Sequence, residues 1–457
     1  MLFRSDVTVA STSYGYYARN GNKYAAGTGS AYGTAYDSSN VIGVALDLSS
    51  NTITFYRDNV SQGAISIAAN TYFPYATDQS TTDYSNFNFG QQPFVYTPPS
   101  GFKALCAPNL AAPTIANGAG YMAATTYTGT GASLSVTNTV GSTSFQPDLV
   151  WIKSRSAATN NNLFDAIRGT TNYLISNSTA ANASNANTLT AFNSNGFTVG
   201  TDASSIGVNV NTATYVGWQW LAGAGTTSSN TNGSITSTVC VNTTSGFSVV
   251  TYTGTGANAT VGLGLGVAPS MVITKQRTAA STTNWATWHT SIANTNYLLL
   301  NTTAASTAGA TYWNSTTPTS SVFSIGTASD TNTNTGTYVA YCFTPIAGYS
   351  AFGSYTGNGS TDGPFVYCGF RPRFVLLKRT DVVNDWQIYD TGINTYNAAT
   401  NWLYPDVSNA AGTSGVDIDI VSNGFKPRNA NAIDNASSGT YIYAAFAENP
   451  FNYSNAR

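Results

Sequence analysis

Tyr252-Thr-Gly254-Thr-Gly256, Pro269-Ser-Met271-Val272-Ile273-Thr-Lys275-Gln-Arg277 and Tyr338-Val339-Ala340-Tyr341-Cys342-Phe343 stand in that order in the middle of the chain. The same phrases precede them as Tyr127-Thr-Gly129-Thr-Gly131, Pro147-Asp-Leu149-Val150-Trp151-Ile152-Lys153-Ser-Arg155 and Tyr215-Val216-Gly217-Trp218-Gln-Trp220. They return as Tyr355-Thr-Gly357-Asn-Gly359, Pro372-Arg-Phe374-Val375-Leu376-Leu377-Lys378-Arg379 and Tyr441-Ile442-Tyr443-Ala444-Ala445-Phe446. A spacing of roughly 100 to 125 residues is that of a domain, not of a solenoid repeat. The recurrence predicts three tandem copies of one domain, over 113–233, 234–348 and 349–457, behind a separate segment 1–112. The glycine-rich stretch 222–233 and the stretch 107–114 read as linkers.

The strand signals run from end to end. Val249-Val-Thr-Tyr252, Met271-Val-Ile-Thr274, Phe374-Val-Leu-Leu377 and Tyr441-Ile-Tyr443 are short β-branched and aromatic runs bounded by turn residues, and no long helical period is present. In Leu149-Val-Trp-Ile152 apolar residues occupy consecutive positions, which suits a strand buried on both faces or covered outside by a loop. The predicted fold class is all-β, with tandem antiparallel β-sandwich domains of jelly-roll type.

Composition removes several functions. Charged residues make up 8% of the 457 residues and the formal net charge is −2, so no basic field exists to neutralise nucleic acid or an anionic bilayer. The expectation is therefore no nucleic acid and no membrane partner. No apolar run approaches the roughly 20 residues of a spanning helix, and Met1-Leu-Phe-Arg-Ser leads into polar residues, so a soluble chain without a secretion signal is expected. Cys106, Cys240, Cys342 and Cys368 lack metal-ligand spacing and read as free, small hydrophobes.

Catalytic chemistry is scarce. Glu448 is the single glutamate and His289 the single histidine; the first argues against a paired-carboxylate glycosidase, the second against a triad or a metal site. No enzyme activity, cofactor or metal is expected, although Asp417-Ile-Asp419 with Asp406 and Asp434 offers carboxylates that could serve calcium. Lys153, Lys275 and Lys378, each followed by an arginine, read as cations that cap a strand end or pair with a nearby aspartate such as Asp165 or Asp390, in preference to a ligand role.

Aromatic side chains, 13% of the residues, are the remaining binding chemistry. They lie among Ser, Thr, Asn and Gly, a mixture that supplies rigid contact area with adaptable hydrogen bonding. Trp151, Trp218, Trp220, Tyr341 and Phe446 fall inside the repeated strand phrases and read as core. Trp285, Trp288, Trp313, Trp386 and Trp402 fall in turn-rich stretches and are the candidate glycan contacts.

Two resemblances add to this reading. Val41-Ile-Gly43-Val-Ala-Leu-Asp47-Leu48, Ile53-Thr-Phe55-Tyr56-Arg57-Asp58-Asn59, Tyr72-Phe73-Pro74-Tyr75-Ala76 and Asn88-Phe89-Gly90-Gln91-Gln92-Pro93-Phe94 resemble the C-terminal half of a SPRY domain. About forty residues precede that stretch, so the sandwich is expected to be truncated at its start, with the apolar face around Val44, Leu46, Ile53 and Phe55 in need of cover. From Tyr121 onward, Phe145-Gln-Pro147-Asp-Leu-Val-Trp-Ile-Lys153, Tyr312-Trp313-Asn314, Ser422-Asn-Gly-Phe-Lys426 and Ala444-Ala-Phe-Ala-Glu-Asn-Pro450 resemble concanavalin A-like repeat modules of bacteriophage structural and tail-fibre proteins.

The second resemblance implies a non-enzymatic virion protein, of a tail fibre or a capsid decoration, at the particle surface. It implies homo-oligomeric or neighbouring virion partners and weak adhesion to a host cell-surface glycan. A bacterial filament or surface adhesin, and a polysaccharide depolymerase, are the alternatives.

Overall fold

The computed structural model describes residues 13–25, 27–70, 72–76, 85–106, 109, 113–202, 206–278 and 282–450. Most of the linker expected at 107–114 lies outside the described residues. Backbone contacts divide the chain into two units, Met1–Ala111 and Ala112–Arg457.

In the first unit Ile42–Asp47, Thr52–Arg57 and Val60–Ser66 form an antiparallel meander, and Tyr14–Tyr16, Lys23–Ala25 and Thr28–Ser30 form a second small sheet. Phe55 and Ile53, on the central strand of the meander, are buried with Tyr14, Tyr16, Ile42 and Ile65, and Tyr32 and Tyr36 pack against them. The cross-strand partners of Phe55 and Ile53 are Val44 and Leu46. Both sit on the edge strand and remain 39% and 38% exposed, so the apolar face expected here is covered at its centre and open at its rim.

The second unit is nearly all antiparallel strand. In the first copy the sheet order is Ala183–Ser184, Asn172–Ile175, Asn162–Asp165, Leu149–Ser154, Thr214–Trp220, Met122–Thr128. It faces a smaller sheet of Leu189–Asn193, Gly196–Val199 and Leu134–Thr137. The second copy repeats the plan with Phe247–Thr253, Thr337–Phe343, Met271–Gln276 and Ala286–His289 at the middle of an eight-stranded sheet, and Ala259–Gly262 with Val322–Ile325 opposite. The third uses Ser350–Thr356, Thr440–Pro450, Phe370–Arg379 and Trp386–Asp390, with Val366–Tyr367, Gly424–Pro427, Gly412–Val421 and Ala399–Trp402 opposite.

Registers match across the copies. Lys153 lies opposite Val216, Lys275 opposite Val339 and Lys378 opposite Ile442. Each lysine strand is covered on both faces. Val150 and Ile152 point into the first copy's own sandwich with Phe164 and Phe197, whereas Leu149 and Trp151 join a core that also holds Met271, Ile273, Phe343, Phe374 and Phe446. That core contains residues of all three copies. The register-equivalent rings Trp220, Phe343 and Phe446 meet there as a triangle, with centroids 6.3, 5.5 and 5.7 Å apart. The copies are therefore wound about a pseudo-threefold axis, and the sheet face that a solitary sandwich would give to water is buried against its two neighbours.

Candidate functional site

Several buried titratable groups of the second unit, Lys153, Lys275, Lys378, Asp165, Arg168, Asp390 and His289, gather at the three seams between copies. Lys153 Nζ donates to the Thr159 carbonyl of its own copy at 2.9 Å and to the Ser408 carbonyl of the third at 2.8 Å. Lys275 donates to Thr283 O at 2.5 Å and, in the first copy, to Thr179 O at 2.9 Å. Lys378 donates to Asn384 O and, in the second copy, to Thr303 O at 2.9 Å. Each lysine thus clasps a loop of its own copy and one of the copy before it, and the ring closes from the first copy onto the third. The expected pairing of these lysines with Asp165 and Asp390 does not form, because those carboxylates face other seam groups.

Burial pulls Lys153 down to about 7, and Lys275 and Lys378 down to about 8, with Asp330 and with Asp406 and Asp385 opposing the shift in the latter two. A neutral amine has two N–H donors, and each site supplies two carbonyls.

The next strand supplies a second layer. Asn161, Trp285 and Trp386 occupy equivalent positions, and each donates to backbone of the preceding copy: Asn161 to Tyr404 O at 3.0 Å and Pro405 O at 2.9 Å, Trp285 to Ile175 O at 2.9 Å, Trp386 to Leu299 O at 3.1 Å. Asp165, His289 and Asp390 are likewise equivalent, opposite Leu149, Met271 and Phe374. Asp165 accepts from Tyr341 Oη at 2.9 Å and pairs with the fully buried Arg168 at 2.5 Å. Asp390 accepts from Trp218 Nε1 at 3.0 Å. His289 takes the Ser291 N–H on Nδ1 at 3.1 Å, which leaves Nε2 to donate to Tyr443 O at 3.1 Å. Burial holds its imidazole down at about 4 and hence neutral.

These placements correct the expected glycan contacts. Trp285 and Trp386 are seam residues, and Trp288 and Trp313 are buried in the second copy's core. None of the four offers a ring face to solvent, because neighbouring copies and the short helices Ala310–Trp313 and Ser329–Asn332 cover stretches that look like open loops in sequence. Trp402 is half-buried beside Tyr404, their centroids 6.3 Å apart.

The carboxylates considered for calcium are engaged by amide and guanidinium partners. Asp417 and Asp434 share the Asn429 amide at 3.1 and 3.0 Å, Asp419 pairs with Arg428, and Asp406 accepts from the Trp386 N–H. Among the described residues no group of three or more His, Cys, Asp or Glu is arranged to hold a metal ion. Cys240, Cys342 and Cys368 are free and buried, and Cys106 is free and half-buried.

Asn209, Asn332 and Asn435 are structural keystones that the repeat reading passes over. Each Oδ1 accepts the N–H that follows the first glycine of the Tyr-Thr-Gly phrase, at 2.9, 2.7 and 2.9 Å, while Nδ2 donates to carbonyls on both sides of the loop. Their signal was available: each stands six places before Tyr215, Tyr338 or Tyr441.

One surface departs from the repeat. On the edge strand of the small sheet, the residues flanking buried Val136 are Ser135 and Thr137, and those flanking Val261 are Thr260 and Gly262. Around the equivalent Val366 stand Phe365 and Tyr367, 50% and 59% exposed, in an edge-to-face pair with centroids 6.4 Å apart. Lys426, on the adjacent strand, pairs with Asp362, and Asp419, on the strand beyond, pairs with Arg428, each at 2.5 Å.

Comparison with known proteins places both units. The family described as "Domain of unknown function (DUF7483)" matches residues 117–450, and the SPRY domain family matches residues 4–92. The SPRY match thus begins upstream of the stretch at 41–106 that carries the resemblance in sequence. Over 86 residues the chain is 34% identical to Ran-binding protein 10 of Danio rerio; the match covers 18% of this chain and 14% of the length of that curated relative. No solved structure matches.

Proposed function

Starting from a chain that belongs to the DUF7483 family and carries a SPRY domain ahead of it, we propose a non-catalytic, load-carrying and adhesive role at the surface of a phage virion, in a tail fibre or a capsid decoration. The seams carry this reading. Lys153, Lys275, Lys378, Asp165, Arg168, Asp390 and His289 are buried groups of the kind catalysis uses, and all are engaged in holding one copy to the next. A catalytic base or acid needs access to substrate and a poised pKa; these have backbone or side-chain partners and no open face. The surface left over is hydroxyl- and amide-rich and nearly uncharged, suited to weak, multivalent contact with a host glycan.

Two observations test the proposal together. Gold-labelled antibody against the 112–457 unit should decorate intact phage particles, and host capsule or O-antigen incubated with the purified chain should keep its polymer length. Absence from particles sinks the virion assignment; shortening of the polymer sinks the non-catalytic one.

A further inference from the structure

The pseudo-threefold repeat supplies its own control for the surface of the third copy. In all three copies the edge strand of the small sheet buries one valine against a phenylalanine of the next strand: Val136 on Phe197, Val261 on Phe323 and Val366 on Phe425. The fold needs nothing large beside that valine. The first copy has Ser135, whose hydroxyl lies 3.1 Å from that of Thr198. The second has Thr260 and covers its edge with its own chain: Ile235 bridges Val261, and Ser234 exchanges hydrogen bonds with Thr260. Only the third sets two half-exposed aromatic rings there, with the Asp362–Lys426 pair on the adjacent strand and the Asp419–Arg428 pair reaching from the strand beyond, in a chain that has few charges. Two rings left half exposed beside a valine whose packing requires neither point to a ligand.

We propose that Phe365 and Tyr367, with the Asp362–Lys426 and Asp419–Arg428 pairs, form a saccharide-binding platform. A pyranose ring has an apolar C–H face and a rim of hydroxyls. The face lies on the paired rings, while the hydroxyls donate to the Asp362 and Asp419 carboxylates and accept from Lys426 and Arg428. In each pair the carboxylate and its cation already stand together before the sugar arrives, so one side chain of each can accept and the other donate. Addition of a partner strand to the same edge is the competing occupant. Val366–Tyr367 is a two-residue strand bounded by Pro364 and by Gly369 at φ +79°, and so short an edge is a poor template for strand pairing.

The inference rests on the adhesive reading above, and the experiment separates the two. The full chain, the double variant Phe365→Ser with Tyr367→Thr, and the control Tyr396→Ser, at a 72% exposed ring elsewhere on the same copy, are applied to an array of bacterial capsular and O-antigen polysaccharides. The double variant carries the first copy's residues at both positions, and its melting temperature is measured alongside. The expected result is binding by wild type and control, a loss of at least about tenfold in the double variant, and unchanged melting. Binding that survives in the double variant overturns the platform and leaves adhesion standing. No binding by the wild type overturns both. Self-association of the wild type that the double variant loses, without polysaccharide binding, assigns the edge to a second copy and overturns the saccharide.

Discussion

At Lys153 a primary amine has been taken out of water and given two carbonyls, and the acid–base consequence can be measured. Burial brings Lys153 to about 7 and Lys275 and Lys378 to about 8, from 10.5 in an open chain. Between those values and about 10.5 the unfolded chain binds protons that the folded one lacks, so stability rises with pH across that window. Asp406 and Asp434 work in the other direction. Burial raises both from 3.8 to about 7, so from about pH 4 to 7 the folded chain keeps protons that the unfolded one has released, and stability falls. Denaturant unfolding of the 112–457 unit should show a minimum of stability near neutral pH. Lys153→Met should reduce the alkaline slope by up to about 1.4 kcal/mol per pH unit; an unchanged slope would show that the amine stays charged. The same scale separates two tryptophans. Trp151→Ala empties a buried site and should cost about 3 to 5 kcal/mol, whereas Trp402→Ala, at a half-buried ring, should cost about 1 kcal/mol. Equal losses on melting would remove that distinction.

The element that recurs most faithfully is the Tyr-Thr-Gly loop, and its residues are explained by close approach. Tyr127, Tyr252 and Tyr355 stack on Tyr215, Tyr338 and Tyr441 with centroids 5.1, 5.0 and 4.9 Å apart, and their hydroxyls each reach a backbone carbonyl at 2.7 Å. A Cβ on Gly129, Gly254 or Gly357 would stand 2.2, 2.3 or 2.2 Å from a carbonyl oxygen of the opposing loop, so no side chain fits without moving backbone. Gly254→Ala should therefore cost about 1 to 3 kcal/mol, and Asn332→Ala, which withdraws the amide from the same loop, should cost a similar amount. Tolerance of Gly254→Ala by melting would mean that the two loops can part. The phrase was legible in sequence because it repeats. Its asparagine partner was not singled out, since one Asn among many has no visible mark until the offset to the following tyrosine is compared across copies.

Over the whole second unit, the shared core predicts a single cooperative transition. Trp220, Phe343 and Phe446 touch one another across copies, and a small apolar cavity of about 20 Å³ lies beside them, lined by Trp151, Trp285, Phe374 and Ala444 among others. Ala444 stands where the first two copies have Trp218 and Tyr341, so one ring is missing from the threefold set. Calorimetry of the 112–457 unit should give equal van't Hoff and calorimetric enthalpies. The 234–348 segment expressed alone should aggregate, because its share of the three-copy core would face water. A soluble, cooperatively melting 234–348 fragment would show that the seams add little.

The sequence by itself determined the strand periodicity, the number of repeats, the landmarks that align and the poverty of charge. All of these are properties of local pattern and composition. Leu149-Val-Trp-Ile152 even announced a strand covered on both faces. What covered it was decided only by tertiary structure, because Leu149 and Trp151 meet Met271 and Phe374 across more than a hundred residues of chain, and a linear pattern records burial without naming the partner. For the same reason Trp285 and Trp386 looked like surface rings in turn-rich stretches and proved to be seam bolts, while Phe365 and Tyr367, in a run of apolar residues that gives no sign of exposure, stand half in solvent.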